Sequence, residues 1–270
     1  MTRIGVFFTS AGVKDDLEHC FKSIALNTVW PDFEVFVVMD PLAGADPLTD
    51  WMAEQKRQYP WLNYEYTAAL ESAGVQQHRG CQANALNHAY RCLLEGGCTR
   101  FFHLNDDVSV TRYWLHYAES ALRKHGPDCV VIPHDGISQQ KPGTFSNFHY
   151  FSSEYVYKYG PVVDRGGLPM PYYPGDQCYW IDTEFVVRAA HHGRLVYEPR
   201  CCVLHLHYTR MPDTLNHPRR RRQTGANADR DALIFAEHMR REGINPWRYL
   251  DVGRWQGKAG AALEALKSIK

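Results

Sequence analysis

Long apolar runs are missing from this 270-residue chain. None approaches the roughly 18–20 residues needed to cross a bilayer. The opening Met1-Thr2-Arg3-Ile4-Gly5-Val6 lacks the charged-then-apolar layout of a signal peptide and reads directly as a strand. Paired cysteines are also missing: eight are scattered without a CxxC spacing, and Cys201-Cys202 are neighbours within an apolar run. Reduced, buried thiols are therefore expected instead of a disulfide framework, together with a soluble, cytoplasmic protein that needs no membrane. There is no net charge, because 30 basic residues balance 30 acidic ones, so no global field draws the chain to nucleic acid or anionic lipid. No internal repeat or low-complexity tract occurs, and nothing in the sequence indicates an oligomeric state. The first strand is followed by Thr9-Ser10-Ala11-Gly12-Val13-Lys14, which is too short and glycine-poor for the glycine-rich loop of a nucleotidyltransferase.

The 44% hydrophobic and 22% charged content suits an ordinary globular protein. Its first half alternates two kinds of segment. Apolar runs at Ile4–Phe8, Phe33–Met39, Asn63–Thr67, Arg100–Leu104 and Cys129–Pro133 read as strands. Helical spacing separates them over Asp15–Asn27, Asp46–Gln58, His78–Glu95 and Tyr113–His125. Such alternation predicts βαβ units and an α/β fold with a mainly parallel sheet. Residues 134–180 break the pattern with an irregular, aromatic-rich segment that includes Phe148, Tyr150, Tyr172 and Trp180. Aromatics with polar tips suit either a surface gripping a ringed molecule or the core of an irregular subdomain. Beyond it, Thr183–His192 reads as a helix, Leu195–Tyr197 and Cys201–Leu206 as strands, and Ala228–Arg241 as a late helix.

In parallel sheets ligands bind beyond the carboxyl ends of the strands. Thr9, Asp40 and Asp106-Asp107 all fall there, so they are expected on one rim. Asp106 and Asp107 follow the apolar Phe101-Phe102-His103-Leu104 and would repel each other unless a counter-charge lies near. A divalent cation carrying a diphosphate would supply it, and hard cations prefer oxygen ligands. The alternative is a solvated loop whose aspartates cap the next helix. Asp182 and Glu184 open a later helix, where capping competes with a role as general base. His205 and His207, two apart on a strand, share a face that suits metal binding.

Together these segments resemble the GT-A glycosyltransferases, in particular their inverting, family-2-like group, over residues 3–240. Val37-Val38-Met39-Asp40 resembles that family's nucleotide-recognising start, and Gly80-Cys81-Gln82-Ala83-Asn84-Ala85-Leu86-Asn87 its glycine-to-Ala-x-Asn segment, one residue longer. Asn105-Asp106-Asp107 is similar to its DXD-type position. Trp180-Ile181-Asp182-Thr183-Glu184-Phe185 is similar to its E-D-x-D helix, with Ile181 in place of the usual glutamate. Tyr197-Glu198-Pro199, leading to His205, is similar to its strand ending in a metal-binding histidine. The resemblance implies a single GT-A domain over 1–270, Rossmann-like with helices flanking its sheet. Residues 1–133 would bind the nucleotide sugar, 134–215 would form the acceptor and catalytic half, and 216–270 a basic loop with C-terminal helices. It further implies a Mn²⁺ or Mg²⁺ ion on Asp107 and His205. Donor contacts would come from Thr9, Asp40, Arg79, Asn87, Asp106, Arg219 and Arg222. Asp182 would be the catalytic base, with Glu184 the other candidate and His207 the other metal ligand. A base opposite the leaving group gives inversion; nothing in the sequence excludes retention.

His217-Pro218-Arg219-Arg220-Arg221-Arg222 concentrates positive charge. The resemblance implies a loop closing over the donor, where guanidinium matches phosphate geometry. A second reading sets these arginines on a nucleic-acid backbone, with the aromatics gripping an exposed base. The protein would then be a phage-type enzyme glycosylating hydroxymethylated pyrimidines in DNA. A solvated loop with neither role is the third. Acceptors otherwise left open are a sugar, a protein or a small molecule. A non-catalytic binding protein would not need Asp107, Asp182 and His205 to converge.

Overall fold

Residues 4–10 turn their side chains alternately to the two sides of a central sheet, and both sides are buried. In this computed structural model, which describes residues 2–41, 47–67, 82–136, 146–175, 180–206 and 225–250, strand β1 (Ile4–Ser10) sends Ile4, Val6 and Phe8 into one apolar core and Phe7 into another. A strand covered on both faces needs a near-continuous apolar sequence, which β1 and β2 (Phe33–Met39) both have. The sheet is completed by β3 (Leu62–Tyr66), β4 (Arg100–His103), β5 (Val108–Val110), β6 (Val130–His134), β7 (His149–Ser152) and β10 (Leu195–His205). Its order is β3-β2-β1-β4-β7-β6-β10-β5, and β8 (Val162–Val163) and β9 (Pro169–Met170) form a separate two-stranded ribbon.

Helices flank both faces. On one side, α1 (Lys14–Asn27) contributes Leu17, Phe21 and Ile24 at helical spacing, and α4 (Trp114–His125) contributes Trp114, Leu115 and Leu122. The shorter α2 (Thr49–Gln58) adds Met52 to the same core. On the other side lie α3 (Gln82–Glu95), α5 (Ser153–Tyr159) and α6 (Ile181–His191), which bury Leu86 and Tyr90, Tyr155 and Val156, and Phe185 and Ala189. Gly5 lets α3 approach β1, since a Cβ there would lie 2.8 Å from Leu93 Cδ1. An outer helix, α7 (Gly225–Arg241), sets Phe235, Ala236 and Met239 against Val187 of α6.

The pairs β1–β2, β2–β3, β1–β4 and β6–β10 are parallel, as expected of a mainly parallel sheet. Three antiparallel pairs modify it. β7 runs antiparallel between β4 and β6, and β5 pairs antiparallel with the end of β10. β7 lies in the segment read from sequence as irregular. Its Tyr150 and Phe151 enter opposite cores, an alternation too short to recognise without its partner strands. β10 is one strand with a bulge between Glu198 and Cys202, where two strands were expected. α6 begins two residues earlier than its pattern suggested, at Ile181. α2 begins at Thr49, three residues after the start expected at Asp46, and the start of α3 expected at His78 falls outside the described residues. The six described cysteines are free thiols, and no helix among the described residues is long and apolar enough to cross a membrane.

Candidate active site

The parallel run β3-β2-β1-β4 brings four carboxyl ends to one rim, and hydrogen bonds connect the residues there. Thr67 Oγ1 donates to Asp40 Oδ1 at 3.0 Å, and Asp40 N donates to the Ser10 carbonyl at 2.8 Å. Ser10 Oγ donates to Asp106 Oδ2 at 2.7 Å and accepts from Gly12 N at 3.0 Å. Asp40 and Asp106 are both buried. The strand alternation makes Ser10, not Thr9, the β1 residue bonded to Asp106. Thr9 lies inside β1, paired with Val38, because the strand runs two residues past its apolar stretch.

Beyond β4 the chain turns through 104–107 into β5, whose Val108 pairs with His205 at the end of β10. That register sets His205 beside Asp107: Nε2 lies 3.2 Å from Oδ2, and both side chains are buried. Leu206 N also donates to the Asp107 carbonyl at 2.8 Å. Two amides face the imidazole, Asn147 Nδ2 at 3.3 Å from Nδ1 and Asn105 Nδ2 at 3.5 Å from Nε2. Phe148 meets the ring edge-on, with centroids 5.3 Å apart.

Beneath the rim is a buried polar cluster. Tyr172 Oη lies 2.8 Å from His149 Nε2 and 3.0 Å from His103 Nδ1, and the two imidazoles are 3.2 Å apart. Burial pushes His103 down to about 3, and burial together with His103 pushes His149 well below its ordinary value, so both rings are neutral. Asn87 clamps the Tyr172 backbone with two hydrogen bonds, Nδ2 to the carbonyl at 2.9 Å and Oδ1 from N–H at 3.2 Å. The amide expected to contact a donor thus holds the loop after β9 in place.

Helix α6 separates the two carboxyls expected to compete as base. Trp180 precedes the helix with φ 69°, a conformation rare for a bulky side chain, and stacks on Phe235 with centroids 5.4 Å apart. Asp182 Oδ1 accepts from Thr183 N at 2.7 Å. Its carboxyl is nevertheless pushed up to about 6 by burial, against the hydrogen bonds of the helix start and the charge of His205. Part of its surface remains accessible. Glu184 is enclosed: Oε1 accepts from Arg188 Nη2 and Oε2 lies on His238 Nδ1, each at 2.8 Å. Arg188 also grips Glu242 with two bonds of 2.7 Å. Both Glu184 oxygens are therefore engaged in fastening α6 to α7. Arg79, His207, Arg219 and Arg222 fall outside the described residues.

No protein-family model and no curated protein matches this chain. Solved structures do. TarS residues 1–349 from S. aureus, in complex with UDP-GlcNAc, matches with TM-score 0.62 at 13% identity, over 88% of this chain and 66% of that one. The mannosyltransferase PcManGT from Pyrobaculum calidifontis, in complex with GDP-Man and Mn²⁺, matches with TM-score 0.57 at 16% identity, over 99% and 73%. GalNAc-T7 with UDP, GalNAc and Mn²⁺ matches with TM-score 0.52 at 11% identity, over 76% and 44%. This is the GT-A fold. The chain spans just under two thirds of the TarS fragment and less than half of GalNAc-T7.

On this GT-A frame, Asp107 and His205 make a donor set of one carboxylate and one imidazole, which fits a divalent cation that keeps other positions for phosphate oxygens and water. Ligation through His205 Nε2 needs the proton on Nδ1, and a half-turn of the Asn147 amide would present its oxygen to hold it. Four members of the rim escaped the sequence reading: Ser10, Thr67, Asn105 and Asn147. Ser10 carried a signal, lying just past the apolar run Ile4–Phe8 beside Thr9. Asn147 carried none, since only the placement of β7 brings it to the histidine.

Proposed function

We propose that this protein is a metal-dependent glycosyltransferase that moves a sugar from a nucleotide-sugar donor to an acceptor hydroxyl with inversion. The observation that carries the reading is the meeting of Asp107, in the turn between β4 and β5, with His205 at the end of β10, where the charge of His205 also acts on Asp182. The matched structures hold UDP-GlcNAc, GDP-Man and UDP, two of them with Mn²⁺, which supports the same donor class here. Mn²⁺ or Mg²⁺ held by Asp107 and His205 would neutralise the departing diphosphate as a Lewis acid. Asp40, with Thr67 behind it, would meet the nucleoside, and Asp106, fixed by Ser10, the sugar or ribose. Asp182 takes the proton from the acceptor hydroxyl as its oxygen bonds to the anomeric carbon. The bond from that carbon to the diphosphate breaks in the same displacement, and nucleoside diphosphate leaves. A base raised towards neutrality by burial is matched to this task. With both its oxygens engaged, Glu184 serves structure, and Asn87 shapes the floor of the site.

The test is a panel of nucleotide sugars with Mn²⁺ or Mg²⁺. Slow release of nucleoside diphosphate, abolished by chelation, is the expected result. Release of pyrophosphate from a nucleoside triphosphate would point to a nucleotidyltransferase. Nucleotide binding without turnover on any acceptor would point to a binding protein. The acceptor arm compares sugars, small molecules, protein and hydroxymethylated against unmodified DNA.

A further inference from the structure

A second cluster of metal-ligating side chains shares no residue with the rim. His88 and Cys92 stand one turn apart on α3, and Glu65 faces them from the edge strand β3. His88 Nε2 lies 2.9 Å from Glu65 Oε2 and 3.3 Å from Cys92 Sγ, and one donor atom from each residue falls within 4.8 Å of the others. A tetrahedral zinc ion, with ligand bonds of about 2.0–2.3 Å, separates its ligand atoms by roughly 3.3–3.6 Å. Only small side-chain movements are needed to reach that spacing. We propose that Glu65, His88 and Cys92 form a second cation site, for a thiophilic divalent ion of the zinc class, bracing β3 against α3.

Three further observations support the assignment. An ion pair alone would have no need of the thiol, yet Cys92 is turned to the same imidazole nitrogen as Glu65. Solvent can supply a fourth ligand, because Glu65 is 41% exposed and borders, with Cys92, Tyr64 and Phe36, a surface groove of about 350 Å³. Phe36 meets the His88 ring edge-on and fixes its plane. The consequence reaches the rim, since α3 also carries Asn84 and Asn87, which hold Gly175 and Tyr172.

Cobalt titration of the metal-free full chain tests the site. A thiolate-to-cobalt charge-transfer band that zinc displaces is expected, with zinc also raising the melting temperature. Cys92→Ser should abolish the band. Glu65→Gln, at an exposed position, should weaken binding by more than the about tenfold lost with a ligand's hydrogen-bond partner. Asp107→Ala should leave the band intact, separating this site from the rim. Absence of the band in the parent protein, full strength in Cys92→Ser or Glu65→Gln, or its loss in Asp107→Ala would each overturn the proposal.

Discussion

Asp182 keeps a 2.7 Å hydrogen bond from Thr183 N, which favours its charged form, and still sits at about 6, so burial outweighs the bond. The folded value lies above the ordinary 3.8. Stability from this group is thus fully present below 3.8 and is lost as pH rises through about 6. Near pH 7 the cost is on the order of 1–3 kcal/mol after discounting for the exposed part of the side chain. Asp182→Asn should therefore raise the urea midpoint at pH 7–8, an increment that vanishes near pH 4, while lowering turnover by about 10²–10⁴ with nucleotide binding retained. Unchanged turnover would remove Asp182 from the base role. If the parent protein carries the proposed activity, kcat/KM should rise with pH through a limb at or somewhat below about 6, because a bound cation favours the carboxylate. Asp107→Ala or His205→Ala should instead weaken metal-dependent nucleotide binding by at least about tenfold in calorimetry. Equal affinity in either variant would argue against the ion at that pair.

The α6–α7 junction rests on Arg188, which is 1% exposed and joins Glu184 to Glu242. Removing one member of a buried ionic group leaves the others uncompensated, a cost of about 3–5 kcal/mol. Arg188→Met should lose that much in chemical denaturation, and adding Glu184→Gln and Glu242→Gln should restore most of it. A loss below about 1 kcal/mol would mean that the apolar contacts around Val187 carry the junction instead. This network was not legible in the sequence, where Glu184, two residues from Asp182, stood as the alternative base. Elements with long periodic signals were legible: β1, β2, α1 and α4 follow their apolar spacing closely. β7 was not, because four residues gain meaning only from β4 and β6 on either side. The same limit explains Thr9 and Ser10. A strand's end is blurred in sequence by a residue or two, and neighbouring residues on a strand face opposite sides of the sheet.

Acid sensitivity is a property of the whole molecule, because groups at its centre pull in opposite directions. His103 and His149 are neutral in the fold, the former at about 3 and both below the ordinary 6.5. Between those values the unfolded chain binds two more protons at these sites, so their contribution is present above 6.5 and is lost as pH falls. His192 is displaced downward too, by burial and the charge of neighbouring residues, and acts in the same direction. Asp182 opposes them between about 6 and 3.8, where only the folded chain holds its proton. The histidines outnumber it, so the denaturation midpoint should fall steadily from about pH 7 to 4.5, each uncompensated proton contributing about 1.4 kcal/mol per pH unit. Asp182→Asn should steepen that slope by roughly one proton. His149→Phe should flatten it by about the same amount, since a phenyl keeps the stacking on Phe185 (centroids 4.3 Å apart) and Tyr172 Oη, losing His149, retains its contact with His103 Nδ1 at 3.0 Å. If the midpoint of the parent protein holds level across this range, the buried imidazoles are not the groups that set acid stability.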